Sequence, residues 1–222
     1  MAHHHSHQAD ETPPDEIAFT QEYWDDRYAS SEKIWSGQPN PRLVEYASGL
    51  VPGAALDVGS GEGADALWLA ERGWRVTAVD ISQVALDRAA AVAHRHGLDL
   101  AQRVTWQRED ILSWDPGVAE FDLVSAQFMH LPQVDLQAVH RRLATAVRPG
   151  GTLLIVGHDV SDLDTGARRP HRPDLMFSAD DVAGLLEPQE WQIVVNDTLA
   201  REATFEGETF TVRDAVVVAT RR

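Results

Sequence analysis

The chain has 222 residues, 43% of them apolar, no cysteine, and a formal charge of −16 from 19 Lys and Arg against 35 Asp and Glu. That length suits one well-buried core; the missing cysteines exclude disulfides, thiolate metal sites and a cysteine nucleophile; the charge repels phosphate backbones and anionic membrane surfaces. With no apolar run near the ~20 residues that cross a bilayer, a soluble cytoplasmic protein acting on small molecules is expected, with no nucleic-acid or membrane partner and no bound metal.

Residues 1–15, including "HHHSH" and paired prolines, contain almost nothing to bury and read as a flexible His-rich tail. The remainder, 16–222, reads as one domain. "EIAFTQEYWDDRYAS" has helical aromatic spacing and "RLVEYASGL" follows as a second short helix, so 16–50 form a leading helical region. "AALDV" is a short buried-type strand, followed by "ADALWLAERG" as a helix with a glycine stop. Then come strand "WRVTAVD", a helix capped by Ser82 and ended by Gly97, strand "RVTWQRED", strand "FDLVSAQF", helix "VDLQAVHRRLATAV" and, after "PGG", strand "TLLIVGHD". Alternating strands and helices imply a parallel sheet covered on both faces. "WQIVVNDTLAREATF" and "TFTVRDAVVVATRR" are separated by too few residues for a crossover, so they pair antiparallel. The fold class is therefore α/β: a Rossmann-like, mostly parallel seven-stranded sheet with a C-terminal antiparallel hairpin.

Behind the first strand stands "LDVGSGEGAD", with Gly59, Gly61 and Gly63 at alternate positions. Glycines between a parallel strand and its helix let the backbone turn sharply and approach a ligand at the carboxyl edge of the sheet. Gly59, Gly61 and Ala64 also satisfy a relaxed dinucleotide fingerprint, so the glycines alone leave NAD(P) open. Three acids bear on the choice, of which Asp80 is shared by both readings. Asp57, two residues before Gly59, would repel a pyrophosphate but suits a ligand bearing an ammonium group and a sulfonium. Asp80 closes the second strand, where a carboxylate accepts both ribose hydroxyls, and Asp110 with Ile111 follows the third, where an adenine would rest.

Taken together, "LDVGSGEGAD", "VTAVD", "EDI", "VRPGGTLLIVG" and the terminal hairpin resemble the class I S-adenosylmethionine-dependent methyltransferases. The entrance "YWDDRYASSEKIWSGQPNPRLVEY" is similar in layout to small-molecule members near the tellurite-resistance and thiopurine groups. The resemblance implies S-adenosyl-L-methionine as cofactor. Asp57, Gly59, Gly61 and Gly63 would surround its methionine part, Asp80 and Ile81 its ribose and adenine edge, Asp110 and Ile111 its adenine, with Gln127 beneath the sulfonium. The implied reaction is in-line methyl transfer to a small acceptor; an NAD(P)-dependent oxidoreductase and a non-catalytic cofactor-binding protein are the alternatives. Should the acceptor need a base, the candidates are His130, just past the fourth strand, and His158 with Asp159 to orient it, although neighbours on a strand face opposite ways. Trp24, Tyr28 and Trp35 are the candidate lid. His140 borders an apolar helix face and reads as a packing residue.

Overall fold

The computed structural model describes residues 20–222 apart from 32, 130, 165–171 and 206–207. The expected tail over 1–15 and His130 lie outside the described residues. The chain runs α1 (Gln21–Ala29), α2 (Pro41–Ala47), β1 (Ala54–Val58), α3 (Ala64–Glu71), β2 (Arg75–Asp80), α4 (Gln83–His96), α5 (Leu98–Ala101), β3 (Val104–Arg108), β4 (Phe121–Gln127), α6 (Gln133–Ala146), β5 (Val147–His158), α7 (Ala179–Ala183), β6 (Trp191–Phe205) and β7 (Glu208–Arg221).

Local chemistry sets several boundaries. Ser82 Oγ accepts from the Ala85 amide at 3.2 Å and starts α4, while Ser178 and Asp181 cap α7 reciprocally. The helix α6 ends at Ala146, just before "PGG", but β5 begins at Val147 rather than after it, carrying Gly150 at φ 79° and a register irregularity between its Val147 and Thr152 pairings. The short helix α5 fills the stretch between Gly97 and β3, closed by the Arg103 amide on Leu100 O.

The sheet order is β3-β2-β1-β4-β5-β7-β6, parallel from β3 through β5, with β7 inserted antiparallel between β5 and β6. Alternation along each strand feeds two cores. Leu56, Val58, Val124, Leu153 and Ile155 pack with Leu136, Leu143 and Val182 of α6 and α7 on one face. Ala55, Leu123, Leu154, Val156 and Val216 pack with Leu43, Trp68 and Leu69 of α2 and α3 on the other. His140 is buried, edge-on to the Phe177 ring at 5.5 Å, and burial lowers its pKa to about 4, so it packs as a neutral ring.

Two features position a site. Successive strands are added to one side of β1 as far as β3 and to its other side from β4 onward, and this switch between β1 and β4 opens a crevice at their carboxyl ends. The β6–β7 ladder continues to Phe205↔Glu208, whereas β5 stops pairing at His158↔Asp214, so a two-stranded ribbon projects past the carboxyl edge beside that crevice. No helix among the described residues is long and apolar enough to cross a membrane.

Candidate functional site

The glycine turn is held from below: the amides of Gly59 and Ser60 donate to Val79 O at 2.8 and 3.0 Å, and Gly63 N donates to Ser60 O at 2.8 Å. Gly59, Gly61 and Gly63 all take left-handed backbone, φ 71°, 51° and 81°, which disfavours any L side chain. Their surroundings differ. A Cβ on Gly59 would approach Met129 at 3.5 Å, and one on Gly61 would sit 2.8 Å from the Tyr28 hydroxyl. One on Gly63 would strike the Trp106 ring at 2.6 Å and the Ala89 methyl at 2.8 Å. Gly63 is expected to border a ligand with its backbone; on its Cβ side the missing side chain admits Trp106 and Ala89, a packing role.

Three carboxylates meet at this turn. Asp57 at the end of β1 is 3% exposed, and its Oδ2 is buried with no hydrogen-bond partner among the described residues. Burial, then the charges of Asp65 and Asp80, push its carboxyl well above the ordinary range. Asp65, in the first turn of α3, accepts from the Asn40 amide at 2.6 Å, and burial pushes it up to about 6. Asp80 accepts from Gly61 N at 2.8 Å through Oδ2 and from Ser82 N at 2.9 Å through Oδ1; burial raises it too. Asp80 thus ties the glycine turn to the start of α4, and each of its oxygens keeps a second lone pair for a ligand hydroxyl. Ile81 follows it, half-buried.

The other expected cofactor residues flank these acids. The Glu109 amide donates to Asp80 O at 3.0 Å and brings the Asp110–Ile111 turn beside the end of β2. Asp110 is exposed and accepts from the Leu112 amide at 2.9 Å, capping its own turn, while Ile111 leans on the core. At the end of β4, Gln127 Nε2 donates to Ser125 Oγ at 3.1 Å, and Gln127 Oε1 and Ser60 Oγ are buried without a partner among the described residues. Orphaned acceptors among raised carboxylates suit a cationic, hydroxyl-bearing ligand, and three acids at one turn oppose a pyrophosphate.

The leading segment closes over this turn. Asp25 of α1 accepts from Ser82 Oγ at 2.6 Å and from the Val84 amide at 3.2 Å, docking α1 on the start of α4. Glu62, inside the glycine turn, accepts from the amides of Ile34 and Trp35 at 3.2 and 3.1 Å and pairs with Arg88 at 3.2 Å. Tyr28 is buried against Gly61, its hydroxyl accepting from Trp35 Nε1 at 3.0 Å; burial, then the Asp80 charge, push that hydroxyl up to about 12. Trp35 is 43% exposed and Trp24 backs Tyr28 at 6.2 Å between centroids. Sequence reasoning missed Asp25, Glu62 and Asp65. The last two lie within the glycine stretch itself, where acids placed among glycines were the available signal.

On the acceptor side, Phe128 follows β4 at φ 52°, a strained conformation for a bulky residue, with its amide on Val156 O at 2.8 Å. Its ring lies 4.8 Å from that of His158. Asp159 does not orient His158 as expected. It is buried, its Oδ1 accepts from the Ser161 amide and hydroxyl at 2.9 and 2.5 Å, and its Oδ2 accepts from Thr198 Oγ1 at 2.8 Å. The physical reason is strand alternation, which turns the two neighbours to opposite sides.

Residues 55–151 match a family model described as a methyltransferase domain. The chain is 30% identical over 141 residues to the 2-heptyl-1-hydroxyquinolin-4(1H)-one methyltransferase of Mycobacteroides abscessus, which covers 62% of this chain and 61% of that protein. It is 31% identical over 183 residues to glycine N-methyltransferase of Oryctolagus cuniculus, covering 70% and 61%. The chain therefore spans about three-fifths of these relatives' length. A solved structure from work on the conversion of a disulfide bond into a thioacetal group during echinomycin biosynthesis superimposes with a TM-score of 0.70 at 25% identity, covering 91% of each chain. Residues 55–151 match a methyltransferase domain, and the chain shares its fold with solved S-adenosylmethionine-dependent methyltransferases.

Proposed function

We propose that this protein transfers a methyl group from S-adenosyl-L-methionine to a small-molecule acceptor in the cytoplasm, residues 16–222 working as one unit with 16–50 as its lid. The observation that carries the reading is Asp57, a buried carboxylate with an unpartnered oxygen beside two further acids at the glycine turn. When bound, the cofactor supplies an electrophilic methyl group on a sulfonium whose leaving group is a neutral thioether. Asp57 holds the ammonium, Asp80 accepts the ribose hydroxyls, Ile81, Asp110 and Ile111 border the adenine, and Gln127 offers its unpartnered Oε1 to the reacting end. The Asp25 and Glu62 contacts keep the Tyr28–Trp35 lid over the turn and exclude water. Alignment of two reactants supplies up to ~7–11 kcal/mol of a barrier, so a soft nucleophile needs positioning alone. An acceptor hydroxyl needs its proton taken, and His158 at the end of β5 and His130 are the imidazoles for that work. The charge of −16 favours a small acceptor over nucleic acid.

Calorimetry separates this reading from the dinucleotide one: S-adenosylhomocysteine should bind with micromolar affinity and NAD(P) not at all. Binding of NAD(P) with none of S-adenosylhomocysteine overturns it. A pH series adds a second expectation. Between the ordinary value of 3.8 and about 6, folded Asp65 holds a proton that the unfolded chain releases, so unliganded stability falls as pH rises through that window. A bound ammonium favours the ionised acids and expels the proton. Affinity for S-adenosylhomocysteine should therefore be ten-fold or more higher at pH 8 than at pH 5; a flat profile would show that these acids do not meet the ligand's cation.

A further inference from the structure

A second charged cluster stands at the carboxyl edge, on the β6–β7 side of the crevice and apart from the three acids at the glycine turn. Asp214 of β7 is 0% exposed, accepts from Arg201 Nε at 2.7 Å and faces Arg42 Nε at 3.7 Å. Arg42 is committed elsewhere as well: its Nη2 donates to the carbonyls of Leu199 and Ala200, and its Nη1 pairs with Glu45 at 3.0 Å. Arg201 differs. Among the described residues it hydrogen-bonds through Nε alone, and its side chain is 31% exposed. Its guanidinium carbon lies 5.7 Å from the centre of the Phe128 ring, the ring that meets His158.

Register puts these groups in one diagonal row, with Gln127 level with Val156 and Arg201 level with Val212. His158 pairs with Asp214 across β5 and β7, and Asp214 with Leu199 across β7 and β6. Counting in twos from Leu123, Val156, Val216 and Leu199, which share one core, places Gln127, His158, Asp214 and Arg201 on that same face of the sheet. The row leads from the residue assigned to the reacting end of the cofactor out to a guanidinium whose orientation is locked by a buried acid. A locked, planar fork loses little freedom on gripping a carboxylate and also stacks on aromatic rings. In a chain of net charge −16, which repels anions in general, such a cation is what an anionic acceptor needs in order to enter.

We infer that this row is the acceptor subsite, and that Arg201 selects planar acceptors carrying an anionic oxygen, a carboxylate or an acidic phenolate, which its Nη groups hold while the ring lies along Phe128 and His158. The inference rests on the methyltransferase reading above. Asp214 and Arg42 are positioning residues: the acid fixes the direction of the Arg201 fork, and Arg42 offsets the second share of its buried charge.

The test measures acceptor binding to protein saturated with S-adenosylhomocysteine, using two matched pairs: 3-hydroxybenzoate against 3-hydroxybenzamide, and 3-hydroxy-2-naphthoate against its amide. In at least one pair the acid should bind ten-fold or more tightly than the amide. Arg201→Gln should abolish that preference while S-adenosylhomocysteine affinity stays within two-fold. Arg201→Lys keeps a cation on buried Asp214, so it folds even where Arg201→Gln does not, and it should reduce the preference at least three-fold by removing the planar fork. Equal or undetectable binding of acid and amide in both pairs, or an undiminished preference in the lysine variant, overturns the inference. Loss of S-adenosylhomocysteine binding by the wild-type protein is the separate result that would overturn the methyltransferase reading itself.

Discussion

Asp57→Asn is expected to weaken S-adenosylhomocysteine binding by ten- to about a hundred-fold while leaving the melting temperature of the unliganded protein unchanged or raised. A charge-assisted hydrogen bond to an ammonium contributes ~1.5–3 kcal/mol, and each ~1.4 kcal/mol is a factor of ten in affinity. In the unliganded chain the same carboxylate is a liability, because it is buried, its Oδ2 has no partner among the described residues, and Asp65 and Asp80 repel it. An amide of the same size keeps an oxygen for the Ala66 amide and removes the repulsion. Calorimetry and thermal unfolding read the two effects separately. Unchanged affinity would place the ammonium elsewhere, and a large drop in melting temperature would make Asp57 a structural acid.

Gly63→Val should have the largest effect on the fold itself, a loss of about 2–6 kcal/mol of stability. Overpacking a filled site costs ~1–3 kcal/mol and forcing a branched residue into left-handed backbone a further ~1–3. The obstacles are the Trp106 ring and the Ala89 methyl, both on elements held by the sheet and core. Gly61→Ala meets only the end of the Tyr28 side chain and the Trp35 ring edge, so it should cost less stability and act on the lid. Urea unfolding of the two variants compares them directly. A Gly63→Val protein within about 1 kcal/mol of wild type would refute the packing role given to this glycine.

Asp80 shows how the structure changes a residue's meaning without moving it. From its place at the end of β2 it reads as a ribose acceptor alone. In the fold its two oxygens also hold the amides of Gly61 and Ser82, so an alanine there would loosen the turn as well as the ligand. Asp80→Asn, which can keep one of those bonds, is the cleaner probe of ribose binding.

The order of strands and helices was legible because buried parallel strands are short apolar runs and helices repeat at 3.6 residues, patterns carried by neighbours in the chain. The terminal hairpin was legible for a steric reason: the turn between β6 and β7 is too short for any crossover. The glycine turn with Asp57, Asp80 and Gln127 could be marked because a ligand crevice in this kind of sheet gathers consecutive strand ends. Tertiary structure alone decided what meets across distance. Asp25 reaches Ser82, Glu62 reaches the Trp35 amide, and Asn40 reaches Asp65, each through one directional bond that no periodicity announces. Tertiary structure also reassigned His158: adjacency offered Asp159, but a strand turns successive side chains to opposite faces, and antiparallel register sets His158 opposite Asp214, 56 residues further on and beside Arg201.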